Sequence, residues 1–132
     1  MNSGGIRLLF AIAAIYDFAI GITFLTNGPQ LFESTGVPQP NHWAYIYFGS
    51  LLLMIFGLMF AAVALNPRGN RNLIPYGILL KISYASLVGY YWAIGPVPWL
   101  FKPFFFIDLV MLFLFVLAYI AIGKQSQANL KP

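Results

Sequence analysis

Three ionisable side chains, Asp17, Lys81 and Asp108, stand within long apolar stretches of the chain. Lys81 lies in "YGILLKISYASLVGYYW", where no water is at hand to solvate an ammonium group. Two acids and one base in such surroundings can pair with each other, bind the polar head of a ligand or carry a proton. Asp17 and Asp108 are therefore the two candidate partners of Lys81.

The same cluster also has a purely structural interpretation. A buried Asp–Lys pair can lock helix register and the choice of packing partner, and removal of one member strands the other charge. Contact with another subunit is a further interpretation. Hydroxyl groups at a similar depth, on Tyr16, Ser83 and Tyr84, each need a hydrogen-bond partner if they are buried.

A second polar set lies in the connection "PQLFESTGVPQPNHW", which contains Glu33, His42 and Trp43. Its apolar residues predict a short turn lying on a membrane surface and ended by Gly36 and the prolines. A single histidine without any cysteine is too small a ligand set for zinc, so we expect no metal. His42 beside Trp43 is expected to be an interfacial anchor or a cap.

Composition identifies the surroundings of these residues as a lipid bilayer. Hydrophobic residues make up 61% of the chain and charged residues 8%, and the mean hydropathy is +0.81. A soluble chain of this length could not hide so much apolar surface from water. The seven Lys and Arg are scattered, which argues against nucleic acid as a partner, and the absence of cysteine excludes disulfides, thiol redox chemistry and iron–sulfur clusters.

Four stretches are long enough to cross a bilayer core of about 30 Å as helices. They span approximately residues 6–26, 43–65, 73–94 and 100–123, and a short polar tail follows at 124–132. We expect an all-α fold: one integral membrane domain over residues 1–132, built as a four-helix bundle. The first stretch contains Asp17 and is longer than the apolar region of a signal peptide, so we interpret it as a retained helix.

Basic residues indicate which side of the membrane each connection faces. Arg7, Arg68, Arg71, Lys124 and Lys131 share the side of the termini, and only Lys102 falls on the other. The positive-inside rule then predicts that both termini are cytoplasmic, and the compact chain suggests the inner membrane of a bacterium. Aromatic residues typical of a headgroup boundary gather at the opposite face: Trp43, Tyr45, Tyr47, Tyr90, Tyr91, Trp92 and Trp99.

Small residues recur every four positions around two of the charges. The ridges are Ala13, Asp17 and Gly21 in the first helix, Gly77, Lys81, Ala85 and Gly89 in the third, and Gly49, Leu53, Gly57 and Ala61 in the second. Such ridges let membrane helices approach closely. We therefore predict that Lys81 pairs with Asp17, its amine within about 6 Å of the carboxylate, whereas Asp108 is expected about one to two helical turns nearer the outer face.

Arg7 opens the first helix, Gly21 lies late in it, and the passage "FLTNGPQLFESTGVPQP" leads to a glycine-containing second helix with "YFGSLLLMIFG". Over nearly the whole chain, mostly as topology, this pattern resembles the small four-helix membrane proteins of the DoxX-like family. The resemblance implies a left-handed four-helix bundle and an accessory or ligand-binding role, in some branches beside a quinone-reducing oxidoreductase. It carries over no individual site residue.

We expect a non-catalytic protein: an accessory subunit of a membrane complex, or a binder of a lipophilic ligand such as a quinone, isoprenoid or lipid at the midmembrane cluster. Its partners are then the bilayer, other membrane subunits or a second copy, and no cofactor is expected. The architecture also resembles sterol-isomerase-like four-helix enzymes, in which case Asp17 and Asp108 would be the acids, with Trp92 or Trp99 as the ring over a cationic intermediate. A small transporter would have to dimerise to build a pathway.

Overall fold

The computed structural model describes residues 1–130 and is all-helical over that range. Four α-helices, α1 (Ser3–Thr35), α2 (Ala44–Leu65), α3 (Ile74–Ile94) and α4 (Phe101–Leu130), follow one another, with a single 3₁₀ turn at Arg71–Leu73 before α3. All four are long and apolar enough to cross a membrane. The predicted all-α fold with four such helices is confirmed.

The helices pack as two hairpins, because α1 lies mainly against α2 and α3 mainly against α4. Side chains from sequence-distant segments tie one end together: Arg7 donates to the carbonyl oxygens of Ala64 and Leu65, and Gln125 donates to that of Met1. We call this the termini end. The connections α1–α2 and α3–α4 lie at the opposite end, the loop end.

Glycines on the predicted ridges set how closely α1 and α2 approach. A Cβ atom on Gly21 would lie 2.5 Å from the carbonyl oxygen of Ser50, and one on Gly57 would lie 3.0 Å from that of Ala14. Backbone meets backbone at both points, so a larger side chain at either position would force the helices apart. This contact holds Asp17, which lies between the two glycine levels, at a fixed distance from α2.

A cluster of aromatic rings fills the centre of the bundle on the termini side of the charges. Phe10, Phe60 and Phe115 are fully buried. The rings of Phe10 and Phe115 stack with centroids 4.7 Å apart, and Phe60 lies 5.1 Å from Phe115. We call these three residues the phenylalanine seal, because they come from α1, α2 and α4 and close the interior toward the termini end.

The first helix is longer than predicted. The segment "NGPQLFEST", expected to be a loop, continues α1 to Thr35 after a kink at Asn27, whose φ of −131° is not helical. Pro29 explains the kink, because proline lacks an amide hydrogen and its ring clashes with the carbonyl group one turn earlier. The helix ends about ten residues later than predicted. Its C-cap is Gly36, the residue predicted to end a separate interfacial turn, and Gly36 adopts the left-handed conformation with φ 72°.

The last helix also extends past its predicted end. The expected polar tail, which begins at residue 124, is helical as far as Leu130. Residues 131 and 132, which complete that tail and include Lys131, lie outside the described residues.

A candidate ligand cavity at a buried charge cluster

Lys81 forms the centre of a buried cluster of three charges. Its Nζ atom lies 3.0 Å and 3.2 Å from the two carboxylate oxygens of Asp17, and 3.1 Å from Oδ1 of Asp108. Lys81 and Asp17 are each 1% exposed and Asp108 is 6% exposed. We call these three residues the charge cluster. With all three groups ionised, one ammonium faces two carboxylates, so the cluster carries a net charge of −1.

The predicted contact between Lys81 and Asp17 is therefore present, and Asp108 adds a second carboxylate to it. The sequence placed Asp108 nearer the outer face by helical rise alone. The flexible four-carbon stem of lysine lets its ammonium group reach carboxylates at different heights. The ring of Tyr16 also faces the ammonium group, with its centroid 5.1 Å from Nζ.

On the loop side of the charge cluster lies a cavity of about 390 Å³. The charge cluster forms its floor, and aliphatic and aromatic side chains from all four helices form its walls. The lining residues are Tyr16, Asp17, Ile20, Phe24, Tyr45, Ile46, Gly49, Ser50, Leu53, Leu80, Lys81, Ser83, Tyr84, Leu87, Phe101, Phe104 and Asp108. An apolar chamber of this size with a few polar groups at one point is typical of a small-molecule site.

Both ends of the cavity are covered by protein. Toward the termini end it stops at the charge cluster, behind which the phenylalanine seal packs. Toward the loop end it lies beneath a second apolar cluster made of Phe32, Val37 and Leu100, against which the wall residues Phe24 and Ile46 pack. We call Phe32, Val37 and Leu100 the loop cap. The kinked end of α1 supplies Phe32 to this cap, which is why the unexpected continuation of α1 matters for the site.

The cavity opens sideways, between α2 and α3. These two helices contact each other little, and the lining side chains on either side of the gap are exposed, Tyr45 by 80% and Leu87 by 60%. A Cβ atom on Gly49 would meet nothing within 4 Å, so the α2 side of the gap is open space. In a bilayer this gap, which we call the α2–α3 seam, faces the acyl chains of lipids.

Of the three hydroxyl groups predicted at this depth, two have hydrogen-bond partners and that of Tyr16 has none within the described residues. The hydroxyl of Tyr84 donates to the carbonyl oxygen of Phe101 across 3.0 Å, and that of Ser83 donates to Leu79 across 2.8 Å. The hydroxyl oxygen of Tyr16 is buried and has no hydrogen-bond partner in the described part of the chain. A buried polar group of this kind calls for an explanation, because an unmade hydrogen bond is costly.

All six residues predicted for the midmembrane site, Asp17, Lys81, Asp108, Tyr16, Ser83 and Tyr84, line the cavity. Sequence reasoning missed Ser50, which is 3% exposed and donates to the carbonyl oxygen of Ile46. Its signal was the single serine of α2, which lies beside Gly49 in the apolar part of that helix. The apolar wall residues had no signal that distinguished them from lipid-facing ones.

The second predicted polar set lies outside the cavity. Nδ1 of His42 accepts a hydrogen bond from the backbone amide of Ala44, at the first residue of α2. Trp43 packs on Phe32 with ring centroids 5.0 Å apart, and Glu33 is exposed in the last turn of α1. These residues shape the loop end and do not reach the charge cluster.

Neither tryptophan proposed for an isomerase-like site lines the cavity. The ring of Trp92 packs against Phe105 and Phe106, and the amine of Lys102 lies 4.9 Å from its centroid. Trp99 is 60% exposed. The aromatic ring over Asp17 and Asp108 that this alternative required is therefore not supplied by either residue.

No model of a protein family, no curated protein and no solved structure matches this chain.

Proposed function

We propose that this integral membrane protein binds a lipophilic molecule that carries a polar head, such as a quinone, an isoprenoid or another lipid. The observation that supports the proposal most strongly is the lateral cavity above the charge cluster. Its walls are mostly apolar, and the charged groups among its described lining residues lie together at the floor. A ligand with one apolar and one polar end matches this distribution.

The route of entry supports a ligand that is dissolved in the bilayer. Protein covers the cavity at the termini end and at the loop end, where the phenylalanine seal and the loop cap lie. The α2–α3 seam is the opening, and in a bilayer it meets acyl chains. A water-soluble substrate would have to cross lipid to reach it, whereas an amphiphile can slide in sideways and leave its tail among the lipids.

Both termini are proposed to face the cytoplasm, in the inner membrane of a bacterium. Arg7, Arg68, Arg71 and Lys124 are all close to the termini end, and the three acidic residues lie elsewhere in the chain. This distribution supports the orientation by the positive-inside rule. Membership of the DoxX-like family belongs to the same proposal and rests on the topological resemblance.

The experiment is purification from native membranes in mild detergent, followed by solvent extraction and mass spectrometry of what the protein carries. We compare the wild type with Gly49→Leu, which fills the cavity, and with Gly95→Leu in the α3–α4 connection. A Cβ atom at either glycine meets nothing within 4 Å, so both variants can fold, and only the first reaches into the site.

We expect one amphiphile enriched over bulk lipid in the wild type and in Gly95→Leu, and lost from Gly49→Leu at an unchanged melting temperature. Equal recovery from all three proteins would refute binding in the cavity. Absence of any enriched molecule, with another membrane protein present in stoichiometric amount, would instead favour the accessory-subunit function.

A further inference from the structure

We infer that the head of the ligand is uncharged and carries a hydroxyl group, and that the site discriminates against anionic heads such as phosphate. This inference rests on the proposed function and specifies it. It depends on two polar atoms at the floor of the cavity and on the balance of charge around them.

The first atom is the hydroxyl oxygen of Tyr16. This oxygen is buried and lacks a partner within residues 1–130, and the Tyr16 side chain is part of the cavity lining. The ring is held in place because it packs edge-on against Phe104, with centroids 6.2 Å apart, and faces the ammonium group of Lys81. A fixed ring with an unpaired hydroxyl is prepared to hydrogen-bond a group that enters the cavity.

The second atom is Oδ2 of Asp108. The hydrogen bond from Lys81 uses Oδ1 of this carboxylate, and no hydrogen bond within the described residues uses Oδ2. Asp17, in contrast, accepts from Lys81 through both of its oxygens. The carboxylate of Asp108 therefore keeps the capacity to accept one more hydrogen bond, and an ionised carboxylate can only accept.

Charge decides between possible heads. With Asp17, Lys81 and Asp108 all ionised, the cluster has an excess of one negative charge. An arriving phosphate would then be repelled, and repulsion is strong in a low-dielectric environment. The described lining residues include no other Lys, Arg or His that could offset it. A hydroxyl group avoids this cost, because it is neutral and can both donate to a carboxylate such as that of Asp108 and accept from a hydroxyl such as that of Tyr16.

The test uses two probes that share one tail, farnesol and farnesyl monophosphate. The full-length protein in mild detergent is mixed with equimolar amounts of both, and native mass spectrometry reads the ratio of the two complexes. We expect the alcohol complex to exceed the phosphate complex by about tenfold or more. An equal ratio, or an excess of the phosphate complex, would overturn the inference while leaving binding of lipophilic molecules intact.

A substitution then locates the contact. Tyr16→Phe removes only the unpaired hydroxyl, and we expect it to lower the affinity for farnesol by about tenfold, the effect of one buried hydrogen bond. Tyr76→Phe is the matched control, since Tyr76 is 59% exposed and does not line the cavity. Unchanged farnesol binding by Tyr16→Phe would also overturn the inference.

The failure of the proposed function has a separate signature. If neither probe binds, or if Gly49→Leu binds both as well as the wild type does, the cavity is not a binding site and both conclusions fall. The melting temperature of each variant is recorded alongside. Because Tyr16→Phe keeps the ring that packs on Phe104 and removes a buried hydroxyl without a partner, its melting temperature should be equal to or above that of the wild type.

Discussion

The ammonium nitrogen of Lys81 lies nearly as close to Asp108, at 3.1 Å, as it does to Asp17, at 3.0 Å. One lysine on α3 therefore contacts both α1 and α4, two helices that belong to different hairpins and otherwise contact each other little. A cluster of three charges behaves differently from an ion pair, because removal of one acid leaves a balanced pair behind. Removal of the base leaves two acids facing each other.

The first prediction ranks substitutions in the charge cluster. Lys81→Met strands two buried carboxylates and should lower the free energy of unfolding by about 3 to 5 kcal/mol. Asp17→Asn keeps the contact between Lys81 and Asp108 and should cost about 1 to 2 kcal/mol for weakened hydrogen bonds. The measurement is denaturation in mild detergent titrated with dodecyl sulfate.

A triple variant completes this series. Asp17→Asn combined with Lys81→Met and Asp108→Asn contains no buried charge at this level and should regain much of the stability that Lys81→Met loses. Equal losses for Lys81→Met and Asp17→Asn would show that Lys81 depends on one partner only, contrary to the geometry.

The second prediction concerns the phenylalanine seal. Phe115 is fully buried and contacts the rings of Phe10 and Phe60, so Phe115→Ala leaves a hole at the centre of the bundle. We expect the free energy of unfolding to fall by about 2 to 3 kcal/mol. This is less than is typical for Phe→Ala in a soluble core, because lipid can also solvate an aromatic ring. The same dodecyl sulfate titration measures it.

Phe113→Ala is the control for this substitution. Phe113 lies on the same helix and is 64% exposed, so its truncation should change the stability by less than about 0.5 kcal/mol. Similar losses for the two variants would mean that α4 does not present Phe115 to the interior.

Much of this arrangement follows from the sequence. Apolar length predicts the four helices, and the four-residue spacing of Ala13, Asp17 and Gly21 predicts a buried face, which the structure has. The contact between Lys81 and Asp17 was predicted for two reasons: both charges lie at a similar depth in the membrane, and both lie on small-residue ridges. The pattern on α4 was harder to interpret, since its buried face of Asp108, Met111 and Phe115 contains large residues.

The cavity could not be predicted in the same way. Its walls are aliphatic and aromatic side chains, and the sequence cannot tell those that face a void from those that face lipid, because both surroundings are apolar. The continuation of α1 past Asn27 was missed because asparagine, glycine and proline in succession are typical of a loop. In the structure that segment is helical, and its Phe32 packs with Val37 and Leu100 in the loop cap.

The third prediction concerns the end of α1. Gly36 adopts φ 72°, a conformation that costs a residue with a side chain about 1 to 2 kcal/mol, so Gly36→Ala should lower the melting temperature. Gly95→Ala serves as the comparison, because Gly95 is extended, with φ 178°, and equally free of neighbours. If Gly95→Ala destabilises as much, the left-handed turn is not what limits the substitution.

The fourth prediction concerns the side from which the cavity is reached. The chain has no cysteine, so Ser83→Cys at the rim of the α2–α3 seam accepts a single spin label without interference. In lipid vesicles we expect this label to collide frequently with molecular oxygen, which concentrates in the bilayer. Collisions with a water-soluble nickel chelate should be rare.

A label on Ser3→Cys, exposed at the start of α1, supplies the opposite case and should collide mainly with the nickel chelate. The comparison of positions 83 and 3 distinguishes a cavity that opens to water from one that opens to lipid. If the nickel chelate reaches position 83 as readily as position 3, the seam opens to water, and a soluble substrate would have access to the charge cluster. If oxygen alone reaches it, whatever binds above Lys81 must enter from the lipid, with its tail still in the bilayer.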